Sequence, residues 1–352
     1  MLQDQDLTVV VPHFGSYDLL RRCLSCLDDS GVRNVVVVED GCFNEGIRQE
    51  FGATRFVHLS QNSGFAAACN RGLSEVITPV VAFVNNDIWV TPDWHLPILE
   101  TLSKNPSVAA CQPKILSARN LGEFDYAGAA GGYVDRYGYP FCRGRIFDSI
   151  ERDLGQYDTM CEIFWASGAA LVARTHDVRA LGGFDPSFFA FQEELDLCWR
   201  LRAQSGRIVF VPQSVVLHEG SATWKTMPFR RAYLLHRNSI LTLVKNCRED
   251  EFGQVLCVRG LMEFASAAFF ITKGDPIRGA AILGALGRNA INMFGVLRKY
   301  RNRTAQRAPV IEYLRPYIYP GSIVVDHFLR GIQRFSELEW SPSLSARRRD
   351  GS

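Results

Sequence analysis

Short β-branched runs alternate along the first part of the chain with stretches whose apolar residues recur at helical spacing. Leu7–Val11 (LTVVV) is the first run and ends at Pro12 and Gly15. Leu19, Leu20, Cys23, Leu24 and Leu27 follow, forming one face of a helix behind the polar start at Ser16 and Asp18. Val35–Val38, Arg55–Leu59 and Val80–Val84 are three further runs. Strands and helices in alternation predict a parallel sheet covered on both faces. The runs are apolar throughout, as strands buried on both faces are. Gly128–Gly144 fits neither period and reads as loop, whereas Phe164–Val172 and Arg207–Val211 read as strands. From about Thr226 the pattern turns helical and basic, and from about Ser336 it turns polar. These shifts divide the chain into an α/β domain (1–225), a mostly helical region (226–335) and a frayed polar tail (336–352).

The early strands stop at Glu39-Asp40-Gly41, Asn62-Ser63-Gly64 and Asn85-Asn86-Asp87. Ligands of such sheets bind beyond the carboxyl ends of the strands, so these clusters fall where a cleft is expected. The chain has 352 residues, 47% hydrophobic and 22% charged. That is enough to bury a core without a disulfide or zinc staple, and too apolar for disorder. Ten cysteines are scattered, and only Cys23 and Cys26 form a C-x-x-C, which reads as reduced thiols in a cytoplasmic protein. No basic-then-apolar leader opens the sequence. Arg259, Glu263, Lys273, Asp275 and Arg278 interrupt the apolar stretch Val255–Leu286, so no membrane crossing is expected.

The net charge of +2 conceals an asymmetry, because Lys225–Arg307 holds fifteen Lys/Arg against five Asp/Glu. A basic appendage on an acidic body suits an anionic partner. Phe264, Phe269, Phe270, Ile271, Ile282, Leu283 and Leu286 lie among the charges. That mixture favours peripheral contact with the inner face of a membrane over nucleic acid. An ordinary solvated basic face is the plainer alternative.

No G-x-x-x-x-G-K-[ST] loop occurs, and the first strand leads into Pro12-His13-Phe14-Gly15 rather than G-x-G-x-x-G. This argues against kinases, GTPases and nicotinamide dehydrogenases, and the lack of a G-x-S-x-G elbow leaves an α/β-hydrolase unsupported. Asp87, directly after a buried run, could hold a divalent cation that bridges a diphosphate, or could simply cap a turn. Glu193, Glu194 and Asp196 crowd three carboxylates behind the aromatic stretch Phe188–Phe191. One could serve as a general base, or all three could favour a helix dipole. His218 ends an apolar run and becomes credible as a metal ligand only beside an Asp.

In order, the stretches VVVPHFG, VVVVEDG, QNSGFAAACNRG, FVNNDIWV, WASGAALVAR, ALGGFDPSFFAFQEELDLCWRLR and VVLHEGSA resemble the family 2 glycosyltransferases, in their rhamnosyltransferase-like branch, over about residues 7–224. The resemblance implies a GT-A fold, a mostly parallel sheet flanked by helices, with a C-terminal helical extension. It implies an inverting, metal-dependent enzyme that moves a sugar from a dTDP- or UDP-sugar to a glycan or lipid-linked acceptor hydroxyl, and the branch suggests rhamnose. By the same resemblance, Pro12, Glu39, Asp40, Asn62, Gly64, Asn70, Asn86 and Asp87 line the nucleotide-sugar. Glu39 and Asp40 would stand at the nucleobase and ribose, and Asn62, Gly64 and Asn70 along the diphosphate. Asp87 and His218 would hold Mg²⁺ or Mn²⁺, Glu194 would be the base, and Gly168, Glu193 and Asp196 would lie on the acceptor side. Two departures from the family pattern stand out. Asn85 replaces the first acid of D-x-D, and Glu194 replaces the expected Asp. They keep open a GT-A-like module that binds a sugar nucleotide or glycan without transfer. A nucleotidyltransferase would want a Gly-rich basic loop after the first strand, which Pro12–Gly15 does not supply.

Overall fold

The computed structural model describes residues 1–220, 226–247, 249–304 and 314–342, excepting the side chains of 249, 250 and 300–304. The predicted alternation is present: β1 (Leu7–His13), α1 (Tyr17–Asp29), β2 (Asn34–Asp40), α2 (Glu45–Glu50), β3 (Arg55–Leu59), α3 (Phe65–Leu73) and β4 (Val80–Val84). Every residue of β1 and β4 is buried, and α1 turns Leu20, Cys23, Leu24 and Leu27 onto the sheet. Next come β5 (Ile88–Val90), α4 (Leu96–Lys104), β6 (Val108–Ser117), β7 (Gly132–Asp135), β8 (Pro140–Cys142), β9 (Arg145–Ile146), β10 (Ser149–Ile150) and β11 (Cys161–Glu162). β12 (Ala170–Arg174), α5 (Thr175–Ala180), α6 (Glu193–Arg202) and β13 (Arg207–His218) complete the α/β body.

The main sheet runs β11–β13–β6–β12–β4–β1–β2–β3, with β5 beside β13. β3, β2, β1 and β4 are mutually parallel. β12 enters antiparallel between β4 and β6, so the sheet is mixed beyond β4. The reversal sets the start of β12 against the carboxyl end of β4, with Ala170 opposite Val84.

Two expectations change. Gly128–Gly144, read as loop, contains β7 and β8, part of a second small sheet β10–β9–β8–β7–β14, where β14 is Ile318–Tyr319. Gly132 explains why periodicity missed it. A Cβ there would lie 2.1 Å from the Trp165 ring, so the strand is shaped by tertiary contact rather than by alternation. Phe164–Val172 is a strand only from Ala170; its first part is a buried turn whose Trp165 indole donates to the Tyr133 carbonyl at 2.9 Å.

Beyond the body lie α7 (Pro228–Asn246), α8 (Glu249–Thr272), α9 (Pro276–Thr304) and α10 (Ile323–Phe328). Residues 336–340, read as tail, do not fray. Leu338 is buried and Trp340 packs edge-on to Tyr133 of the small sheet at 5.3 Å. The rest of that expected tail, from 343 on, and the junction at 221–225 lie outside the described residues. By length and composition Glu251–Thr272 and Pro276–Lys299 could each cross a membrane, which differs from the sequence expectation. An 18-residue window within each helix is apolar enough despite up to two charges.

Candidate active site

The turn Asn85-Asn86-Asp87 leaves the carboxyl end of β4 and passes directly into β5, which returns antiparallel along β13. The register sets His218 opposite Ile88, and the Glu219 amide donates to the Asp87 carbonyl at 3.0 Å. His218 Nε2 thereby lies 3.2 Å from Asp87 Oδ1, both side chains nearly buried. On the other side of the ring, Nδ1 meets Asp125 Oδ1 at 2.7 Å. Sequence reasoning missed Asp125, which lies 93 residues away in an irregular segment with no motif.

Burial disfavours the imidazolium, but the Asp87 and Asp125 carboxylates outweigh it and lift the His218 pKa to about 10. A proton thus supplies the positive charge that Asp87 requires. A divalent cation would supply the same charge. The donor set, one carboxylate and one imidazole whose far nitrogen is fixed by a second carboxylate, suits Mn²⁺ or Mg²⁺. Asp87 and His218 are the residues that would hold it.

The second group sits across β12. The Asn85 amide donates to the Ala169 carbonyl at 3.0 Å. A Cβ at Gly168 would lie 3.6 Å from Glu194 Cβ, an ordinary contact distance, so Gly168 borders the start of α6. In the loop before α6, Phe189, Phe191 and Gln192 have positive φ (66°, 71°, 71°). Gln192 Oε1, Glu193 Oε2 and Glu194 Oε2 are buried and have no partner among the described residues. Three orphan oxygens at one helix start are costly in a folded protein, and an incoming hydroxyl, with its single O–H, could donate to one of them.

Burial and the neighbouring Glu194 charge push the Glu193 carboxyl well above its ordinary value. Burial also raises Glu194, against the backbone N–H groups of the helix start and of Gly168. Burial and the shared charge favour the neutral form of Glu193 more than that of the half-buried Glu194. Asp196 departs from its expected place on the acceptor side. It is 0% exposed and held by Arg200 (2.8 Å), Lys245 (2.9 Å) and Asn246 (3.1 Å), so it ties α6 to α7. Burial would raise its carboxyl, but the Arg200 and Lys245 cations hold it below the ordinary value.

Several nucleotide-side residues prove to support the cleft rather than open into it. Glu39 is 0% exposed, its carboxylate taken by Arg48 Nε (2.9 Å), the Asn44 amide (3.1 Å) and Tyr17 Oη (3.3 Å). Asp40 accepts from the Ser63 and Gly64 amides (2.7 and 2.9 Å), pinning the Asn62-Ser63-Gly64 turn to the end of β2. Asn62 Oδ1 adds a bond to the Gly64 amide at 3.1 Å. Gly64 has φ +89°, and a Cβ there would strike the Phe189 carbonyl at 2.5 Å, so this turn abuts the loop before α6. Asn70 spends its amide on the Phe184 N–H and C=O, 2.8 Å each. Pro12 is buried at the end of β1, opposite Val38. Asn86 bonds His13 Nδ1 at 2.7 Å, and the other ring nitrogen of buried His13 has no partner among the described residues. Burial lowers the His13 pKa to about 4, so the ring is neutral. The VVVPHFG stretch contained this histidine, but a lone His carries no signal by itself.

Residues 8–160 match the model of glycosyl transferase family 2. A pre-mycofactocin glycosyltransferase of Mycobacterium tuberculosis is 30% identical over 237 residues, covering 65% of this chain and 46% of the relative. The chain thus spans about half the length of that relative. An N-acetylglucosaminyl-diphospho-decaprenol L-rhamnosyltransferase of the same species is 24% identical over 265 residues, 67% of this chain and 83% of the relative. Among solved structures, S. aureus TarS 1–349 in complex with UDP-GlcNAc superposes with TM-score 0.54 at 14% identity, covering 82% of this chain and 81% of that one. GalNAc-T7 with UDP, GalNAc and Mn²⁺ gives TM-score 0.54 at 13% identity, covering 84% and 57%. These likenesses establish the GT-A fold.

Proposed function

We propose that this protein is an inverting family 2 glycosyltransferase, moving a sugar from a nucleotide diphosphate-sugar to an acceptor hydroxyl. The observation that carries the reading is the pairing of Asp87 with His218 at the carboxyl end of β4, one strand away from the orphan oxygen of Glu194. Asp87 and His218 are the residues that would hold Mg²⁺ or Mn²⁺, which when bound would neutralise charge on a departing diphosphate. Asp125 keeps the His218 ring turned so that Nε2 faces Asp87. Glu194 Oε2 accepts the acceptor proton as the hydroxyl oxygen bonds to the anomeric carbon. The bond to the diphosphate breaks on the opposite face, its electron pair leaving with the diphosphate. Glu193, protonated, donates a hydrogen bond to the acceptor rather than competing for its proton.

For the donor we put dTDP-rhamnose first, with UDP-sugars next. The likeness to a rhamnosyltransferase supports this order. The acceptor is a glycan or lipid-linked hydroxyl on the cytoplasmic side. Glu194→Gln tests the base. It should keep nucleotide affinity and lose transfer by roughly 10²–10⁴-fold, read as nucleoside diphosphate released with a competent acceptor. Full transfer by that variant removes Glu194 from the role.

A further inference from the structure

We infer that the α8–α9 hairpin docks the protein onto an anionic membrane surface, lying in the plane of the headgroups without crossing the bilayer. In a helix of a soluble body, charged residues face water and apolar ones face the core. In α8 the charged Arg259 and Glu263 are buried alongside Val255 and Ala267, while large apolar side chains point outward. Arg259 donates to the Tyr137 carbonyl and to Ser239 Oγ, 2.8 Å each, and stacks over the Tyr139 ring at 3.5 Å. Glu263 meets Arg259 Nε at 2.8 Å and His236 Nδ1 at 2.6 Å. Outward, Leu261, Phe264, Ile291 and Phe294 are 58–83% exposed. Exposed apolar side chains of this size on one helix pair mark a surface that is covered in use.

The same anchoring excludes a crossing. Arg259 and Glu263 lie near the middle of Glu249–Thr272 and are bonded there to the β7–β8 turn and to α7. Were α8 to span, its midpoint would drag the folded body to the centre of the bilayer. α9 is likewise held alongside α7, where Asn289 donates to the Arg237 carbonyl at 3.1 Å and Ala281, Ile282 and Ala285 are fully buried. The hairpin therefore lies along the body with its outer side free.

Charge decides between lipid and a second copy of the chain. Lys273, Arg278, Arg288 and Arg298 are exposed around the turn and along α9, against the single carboxylate Asp275 between Thr272 and Lys299. A symmetric dimer through this face would set like charges together. Anionic headgroups pair with them instead, while the aromatic and aliphatic side chains enter the acyl boundary.

Flotation of the full chain with vesicles of phosphatidylglycerol and phosphatidylcholine tests this. The protein should float with these and far less with phosphatidylcholine alone. Lys273→Gln and Arg278→Gln should each weaken binding about fivefold, and Leu261→Ser, Phe264→Ser and Phe294→Ser on the order of tenfold each. Absence of flotation with either vesicle overturns the inference. So does resistance of the bound protein to alkaline carbonate, which would mean a crossing, or a dimer in solution that the three serine variants dissociate. Nucleoside diphosphate release in solution is measured in parallel. Loss of docking with release intact fails this inference alone, and docking without release fails only the catalytic reading.

Discussion

Asn238 offers the sharpest test of how the loop before α6 is held. It is buried on α7, and its side-chain amide nitrogen donates to the carbonyls of Phe188 (2.9 Å), Ala190 (2.7 Å) and Phe191 (2.8 Å). Those carbonyls flank the left-handed residues Phe189, Phe191 and Gln192, conformations that cost on the order of 1–2 kcal/mol each. Hydrogen bonds of this kind contribute about 0.5–1.5 kcal/mol each, so the shared amide offsets much of that strain. Asn238→Ala removes it while Arg237 still donates to the Ser187 and Phe188 carbonyls. We expect a net loss of about 2–3 kcal/mol in loop order, which corresponds to roughly 30–150-fold in transfer rate. The measurements are acceptor-dependent nucleoside diphosphate release, UDP affinity by calorimetry in Mn²⁺, and melting temperature. Transfer should fall while UDP affinity stays within about twofold. Asn238→Asp is the informative control. A carboxylate facing three carbonyls cannot donate and adds repulsion, so it should be worse than Ala. Transfer retained within about threefold in Asn238→Ala, or UDP affinity lost in proportion, would refute the clamp.

Asp87→Ala should weaken nucleotide binding about tenfold or more in Mn²⁺ and hardly at all in EDTA; equal loss in both would indicate misfolding rather than a lost ligand. Glu193 has a folded-state pKa raised by burial and by Glu194, so its stabilising contribution is complete below the unfolded value near 4.5 and is lost as pH rises through the raised folded value. Glu193→Gln should therefore raise the melting temperature relative to wild type at pH 8 but not at pH 4, and the opposite pH order would contradict the assignment. Gly64→Ala forces a Cβ against the Phe189 carbonyl at positive φ, a cost of about 1–3 kcal/mol; thermal unfolding should shift down and transfer should suffer more than donor binding.

The sequence by itself determined the local elements: the buried runs of β1, β2 and β4, the amphipathic face of α1, the polar strand ends, and an acid-rich start to α6. Hydrophobic period is a property of neighbouring residues and survives without knowledge of the fold. Family resemblance added Asp87, His218 and Glu194, and the fold brings the first two within 3.2 Å of each other. Only the tertiary structure decided which polar residues are spent on support. Glu39, Asn70 and Asp196 resemble ligand contacts in a motif, yet Arg48, the Phe184 backbone and the Arg200–Lys245 pair claim them. It also decided the antiparallel entry of β12, the hidden strands β7 and β8, the role of Asp125, and the inward turn of Arg259 and Glu263. Each of these depends on a partner tens of residues distant, and a buried polar group takes its meaning from the partner that satisfies it.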